Sequence, residues 1–300
     1  MIETWRWFGP TDKVTLNDIR QTGASGIVTS LYHLEPGIVW KKEEISSRLI
    51  EIAGSKSHPT NLSWQVVESL PVSEVIKMGS HPRDEHIKAW IESMENLSEL
   101  GIKVICYNFM PILDWTRTEL AAPMSSGATA MYFDLLDFIA FDCFILERMD
   151  AQNDYEKHLV DKAKYRFEGF SKEKKLILSK NITAGLPGSG ETLTFQEVKR
   201  RLEVYSGIDA DKLRDNFKYF LDAVVPTAEK LGVRLCCHPD DPPWPLLGLP
   251  RIMSTEEDYN WLVNVHPSKA NGITFCTGSL GTSFENDLPG MVSRLGKHIH

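Results

Sequence analysis

The feature that most constrains this chain is an alternation of two patterns. Short apolar, β-branched runs recur along it, separated by longer charged stretches whose apolar residues return every three or four positions. The first pattern is that of a buried strand and the second that of an amphipathic helix. Strands alternating with helices build a parallel sheet, because each helix carries the chain back to the edge where the next strand starts. The expected fold class is therefore α/β. Strands are expected at residues 4–8, 26–31, 63–70, 103–109, 233–238 and 272–276, with 298–300 starting a seventh. Helices are expected at 42–53, 85–100, 213–231, 255–265 and 288–295. Ser254 and Thr255 before Glu256 and Glu257 read as a helix start, and Gly232 after Leu231 reads as a stop.

One region breaks the rhythm. Residues 114–212 form a long excursion, with a helix rich in Phe, Asp and Leu expected at 132–149 and a charged, solvated helical face at 153–180. No repeat of fixed period is visible. An α/β barrel of roughly 250 residues is commonly a single unit, so residues 1–300 are expected to be one domain carrying a mostly helical insertion at about 114–212. Six βα steps and the start of a seventh fall short of the eight that a closed barrel needs. The expectation is a barrel whose last units are missing from this chain.

Charge and cysteine content narrow the function classes. With 33 Lys and Arg against 41 Asp and Glu, the net charge is −8. An acidic chain without a Lys/Arg-rich run lacks the footprint of a nucleic-acid binder and is repelled by anionic membranes. No apolar leader opens the sequence and no apolar stretch approaches a membrane span. Five cysteines without framework spacing read as reduced thiols, so a cytoplasmic location is expected.

In parallel α/β folds ligands bind at the carboxyl ends of the strands, so polar residues that end apolar runs are informative. Glu68, Tyr107, Asn108, His238 and Cys276 all do so. After His238 come Pro239, Asp240, Asp241, Pro242 and Pro243, two acids held in a rigid turn. A neutral imidazole there can bind a divalent metal, with Asp240 or Asp241 as ligand, orienter or general base. Equally, the two acids can cap the turn while His238 bonds a carbonyl. Cys276 comes one βα unit later and completes a His/Cys pair suited to Zn, Fe or Mn, or else packs in the core. Cys236 and Cys237 are expected in the core. Arg6, between Trp5 and Trp7, and Arg117 either clamp a carboxylate or stack structurally. Residues 185–190 superficially fit a dinucleotide glycine pattern, but no strand precedes them, and neither a P-loop nor a serine nucleophile elbow occurs.

Taken together, residues 4–10, 26–29, 66–69, 106–118, 184–188, 238–243, 248–252 and 275–279, with Asn286, Asp287 and Leu288, resemble the bacterial D-mannonate dehydratases of hexuronate catabolism. The resemblance implies a (β/α)8 TIM barrel of the xylose-isomerase-like kind, with Mn²⁺ or Fe²⁺ at its C-terminal rim. It implies elimination of water from D-mannonate, giving 2-dehydro-3-deoxy-D-gluconate. His238 and Cys276 match metal-ligand positions, while a further His, an Asp and a catalytic Tyr are expected beyond His300. Glu68, Asp240 and Asp241 are the expected catalytic groups, and Arg6, Tyr107, Asn108 and Arg117 the expected substrate contacts. The expected partners are this small sugar acid and, as one option, a second copy of the chain. Ser73 stands where the family usually has a histidine. Two readings compete with an active dehydratase: an inactive fragment that retains metal or sugar-acid binding, and a related metal-dependent sugar isomerase or epimerase.

Overall fold

The computed structural model describes residues 1–184 and 193–300. The glycine pattern at 185–190, and most of the 184–188 stretch, lie outside the described residues. The chain divides into two compact units, one comprising Met1–Phe109, Ala210–Pro243 and Ile252–His300, the other Met110–Asp209 and Trp244–Arg251.

In the first unit six strands form one sheet: β1 (Thr4–Arg6), β2 (Gly26–Thr29), β3 (Ser63–Glu68), β4 (Val104–Tyr107), β5 (Arg234–Cys237) and β6 (Asn271–Ile273). Every pairing is parallel, and strands adjacent in the sheet are consecutive among these six along the chain. Each expected run overlaps its strand, the sixth beginning one residue early at Asn271, but every strand stops short of the run's carboxyl end, where the chain leaves the ladder for a loop. The expected seventh start is a single parallel bridge, Ile299 to Ile273, with His300 N–H donating to the Ile273 carbonyl at 3.2 Å.

Side-chain alternation gives the sheet two unlike faces. Ile27, Val67, Ile105, Tyr107, Leu235, Cys237 and Ile273 are all 0% exposed and pack under helices. Ala210–Leu231 supplies the largest cover: Phe217, Phe220, Leu221, Val224 and Val225, the apolar face expected from their spacing, are fully buried. Helix Arg83–Glu99 adds Trp90, edge-on to Phe220 at 5.1 Å between ring centroids. The opposite face carries Arg6, Val28, Val66, Glu68 and Val104, all half-buried. Helix Glu256–Val265 begins where the sequence suggests, with Thr255 Oγ1 accepting from Asp258 N–H and the Asp258 carboxylate accepting from Thr255 N–H.

The second unit has apolar cores of its own. Leu113, Phe138, Phe141, Leu178, Ile182 and Val198 form one, and Ile139, Ala140, Ala151, Val160 and Ala163 another. The helix expected at 132–149 is broken. Tyr132 ends a strand of the antiparallel hairpin Glu119–Pro123/Thr129–Tyr132, Asp134 caps a short helix Leu135–Ala140, and Phe141–Ile145 widens into a π turn. The cause is polar: the Asp134 carboxylate accepts from Leu136 and Asp137 N–H, and buried Asp142 is held sideways by Arg148 and Tyr155. The charged stretch at 153–180 consists of helices Lys157–Glu168 and Lys172–Thr183, mostly exposed, with Arg166 and Lys174 tied to Asp137 at 3.1 Å each. Among the described residues, no helix is long and apolar enough to cross a membrane.

Candidate functional site

The strand register decides which rim residues meet. Glu68 pairs with Cys106 on β4, and Cys106 pairs with Cys236 on β5, so the three share the face away from the helices. At the carboxyl ends of this face the chain assembles Arg6, Glu68, His238 and Cys276.

Arg6 forms an ion pair with Glu68 through Nη2 and Oε1, and its Nη1 donates to the Glu68 carbonyl at 3.5 Å. Burial disfavours the guanidinium charge, but the Glu68 carboxylate outweighs it and raises the Arg6 pKa. Tyr32, just past β2, donates its hydroxyl to the same carbonyl at 3.4 Å, and burial raises its pKa. His238 is 5% exposed. Its Nδ1 lies 2.8 Å from the Pro239 carbonyl, which can only accept, so Nδ1 carries a proton and Nε2 is turned into the site. Nε2 lies 4.0 Å from Glu68 Oε1 and bonds Cys276.

The His238 and Cys276 side chains polarise each other. Burial alone would lower the imidazole pKa, yet the Cys276 sulfur, then Glu68, then the Pro239 carbonyl raise it to about 9. Burial would likewise raise the thiol, but His238, helped by Ser279, pulls it down to about 7. Each group therefore favours the charged form of the other. Ser279 Oγ lies 3.4 Å from Cys276 Sγ and 3.1 Å from Asp241 Oδ2, so its single proton serves one or the other.

Other expected site residues are placed differently. Tyr107, expected to contact substrate, is 0% exposed among Trp90, Phe217 and Phe220, because alternation sends residues 105 and 107 to the helix-covered face. Full burial of such a ring is worth about 1.5–3 kcal/mol, which favours the core over the rim. Asp240, expected in acid/base work, is 1% exposed, and its Oδ2 accepts from Met253 N–H at 2.7 Å and Ser254 Oγ at 3.1 Å. It braces the turn after β5 against residues 253–254. Asn108 is half-buried where β4 ends. Arg117 belongs to the second unit, where it donates to the Thr116 carbonyl at 3.0 Å and lies 6.0 Å from the Trp115 ring. Ser73 is 4% exposed and bonds His86 Nδ1 at 2.8 Å. Cys236 and Cys237 are buried, as expected. Sequence reasoning missed Tyr32 and Ser279. Tyr32 was within reach, since it too is a polar residue just past an apolar run.

His238 Nε2 and Cys276 Sγ are two convergent donors, with the second imidazole nitrogen anchored as metal-binding histidines require. Among the described residues, no group of three or more His, Cys, Asp or Glu side chains is gathered to hold an ion. The pair fits part of a transition-metal ligand set.

Residues 1–300 match the family model for D-mannonate dehydratase (UxuA). The chain belongs to the D-mannonate dehydratase family. It is 47% identical over 300 residues to a mannonate dehydratase of Rhizobium meliloti (strain 1021) and 49% identical to mannonate dehydratase 1 of Agrobacterium fabrum, covering all of this chain and 73% of each relative. The crystal structure of mannonate dehydratase from Streptococcus suis serotype 2 superposes with a TM-score of 0.73 at 31% identity, over 100% of this chain and 71% of that one. The activity is that of a hydro-lyase, and its substrate is a small sugar acid. For this family a rim with one guanidinium, one carboxylate and one imidazole–thiolate pair is chemically apt, because the substrate is an anion that loses a proton and a hydroxide.

Proposed function

We propose that the Arg6–Glu68–His238–Cys276 rim is where D-mannonate is dehydrated to 2-dehydro-3-deoxy-D-gluconate, and that His238 and Cys276 are ligands of a divalent Mn²⁺ or Fe²⁺. The observation that carries this reading is the convergence of His238 Nε2 and Cys276 Sγ from adjacent strand ends, with Nδ1 anchored on Pro239. Bound there, the cation supplies Lewis-acid stabilisation of the charge that builds on the substrate when its C2 proton leaves. Glu68 Oε1, 4.0 Å from His238 Nε2, is placed to receive a proton at the rim, and Arg6 Nη2 to hold a carboxylate. Asp241 acts through Ser279 Oγ, which steadies the Cys276 sulfur. Asp240 keeps the turn that presents His238 in place.

The same reading extends to architecture. We propose a (β/α)8 barrel, supported by chain-order parallel pairing and by helical cover on one face only; doubly wound sheets reverse their strand order and are covered on both.

The test is metal content and turnover measured together. The purified chain, reconstituted with Mn²⁺ and freed of excess ion, should retain metal and form the 2-keto-3-deoxy acid from D-mannonate, and His238→Ala should lose both. Full metal occupancy in His238→Ala and Cys276→Ala would remove the ligand assignment.

A further inference from the structure

Arg6 is the cation of the rim, yet it already holds a carboxylate. Glu68 Oε1 sits on Arg6 Nη2, and the Glu68 carbonyl takes both Arg6 Nη1 and the Tyr32 hydroxyl. The guanidinium also lies against an aromatic ring: its carbon is 5.6 Å from the Phe8 centroid, and Phe8 in turn lies 5.7 Å from the Tyr32 ring. Such a planar fork against a ring presents paired N–H donors that match a planar carboxylate. Both side chains of the pair are 19% exposed, so an incoming ligand can reach it.

We propose that Glu68 is an internal stand-in for the substrate's carboxylate: a sugar acid displaces it from Arg6, and the released Glu68 carboxylate turns to the solvent-open side of the rim. The exchange breaks one ion pair and forms another, with no covalent step. Arg6 remains paired, and the partly exposed Glu68 carboxylate returns to water, so no charge is left buried and uncompensated. Tyr32 and Phe8 hold the guanidinium plane while its partner changes, so Tyr32 is a positioning residue. The device favours ligands that bring a carboxylate, because a neutral polyol offers Arg6 nothing in return for Glu68.

This proposal rests on the rim being the sugar-acid site, and its test is an equilibrium one, so that it stands apart from the metal assignment and from turnover. D-gluconate, the C2 epimer of D-mannonate, and D-mannitol, the polyol without a carboxylate, are titrated calorimetrically into the full chain, with and without Mn²⁺. An internal competitor makes a counterintuitive prediction. Glu68→Gln should bind D-gluconate about fivefold tighter than the unaltered chain, the scale of a partly exposed ion pair that no longer competes. Arg6→Gln should weaken it at least about tenfold, and Arg6→Lys should recover part of the loss. Tyr32→Phe should weaken D-gluconate and leave D-mannitol unchanged. Weaker or equal D-gluconate binding by Glu68→Gln, equal gains for D-mannitol, or no D-gluconate binding by any of these proteins would overturn the proposal. Should Arg6→Gln fail to fold, as judged by circular dichroism, the Glu68→Gln comparison decides alone.

Discussion

Two charged clusters, one in each unit, differ in how completely they are closed. In the second unit Arg148 grips both Asp142 oxygens, Nε to Oδ1 at 2.9 Å and Nη2 to Oδ2 at 2.8 Å, and its Nη2 also reaches Asp154 Oδ2 at 2.6 Å. Tyr155 adds its hydroxyl to Asp142 Oδ2 at 2.7 Å, and Asp142 is 0% exposed. In the first unit the rim cluster keeps Glu68 and His238 at 4.0 Å, beyond a hydrogen bond, and turns an imidazole nitrogen and a sulfur toward each other. Both clusters shift pKa values: burial beside Asp142 drives the Tyr155 phenol far up, while His238 and Ser279 draw the Cys276 thiol down. A perturbed pKa is therefore no sign of function by itself. The closed knot stabilises a fold, and the loosely coupled rim leaves groups that a ligand can engage.

The contrast can be broken by mutation. His238→Ala should cost about three orders of magnitude or more in turnover, the scale of losing Lewis-acid stabilisation, while shifting Tm by less than about 4 °C. A large drop in Tm with activity retained would make His238 a structural residue like those around Asp142. In the second unit the expectation is reversed. Arg148→Met leaves Asp142 buried without its fork and should destabilise that unit by about 3 kcal/mol in denaturant unfolding. A stability change near zero would mean the knot is not closed in solution.

Thiol reactivity compares the two regions directly. In metal-free protein Cys276, with its pKa at about 7, should react with iodoacetamide with a midpoint near neutral pH, whereas burial beside Asp142 keeps Cys143 at about 11. The sign follows from the direction of each shift: the Cys276 thiolate exists above about pH 7, and His238 stays protonated beside it up to about 9. At pH 7 Cys276 should be modified more than about a hundredfold faster than Cys143, read by peptide mass spectrometry. His238→Asn should move the Cys276 midpoint upward, and equal labelling of the two cysteines from pH 7 to 9 would erase the distinction.

The smallest effects set a baseline. Thr255→Ala and Ser171→Ala each remove a helix cap, the first in the sheet unit and the second in the helical one, and each should cost about 1 kcal/mol in chemical unfolding. A Thr255→Ala loss several times larger would show that Asp258, which also takes Arg214 Nη2 at 2.7 Å, depends on the cap.

Much of the framework was legible because it is local. Apolar runs located all six strands, and the spacing of Phe217, Phe220, Leu221, Val224 and Val225 located the buried face of the long helix. His238 and Cys276 were legible as a pair because consecutive parallel strands place their ends side by side. The differences in placement have one cause. Tyr107 and Asp240 were judged by their position after an apolar run, but which way a side chain turns depends on strand parity and on which donors come near. The break at Phe141–Ile145 depends on Arg148 and Tyr155 reaching Asp142, a side-chain choice that apolar spacing does not encode.

The sequence by itself determined the α/β class, the order of strands and helices, and the rim positions of Glu68, His238 and Cys276, because periodicity and strand ends are properties of neighbouring residues. Only the tertiary structure decided that Arg6 faces Glu68, that His238 offers Nε2 and not Nδ1, that Tyr32 and Ser279 join the rim, and that the described residues between 110 and 209 pack around cores of their own. Those outcomes depend on register between strands far apart in the chain and on the need of each buried polar group for a partner, and neither is written in any single stretch of residues.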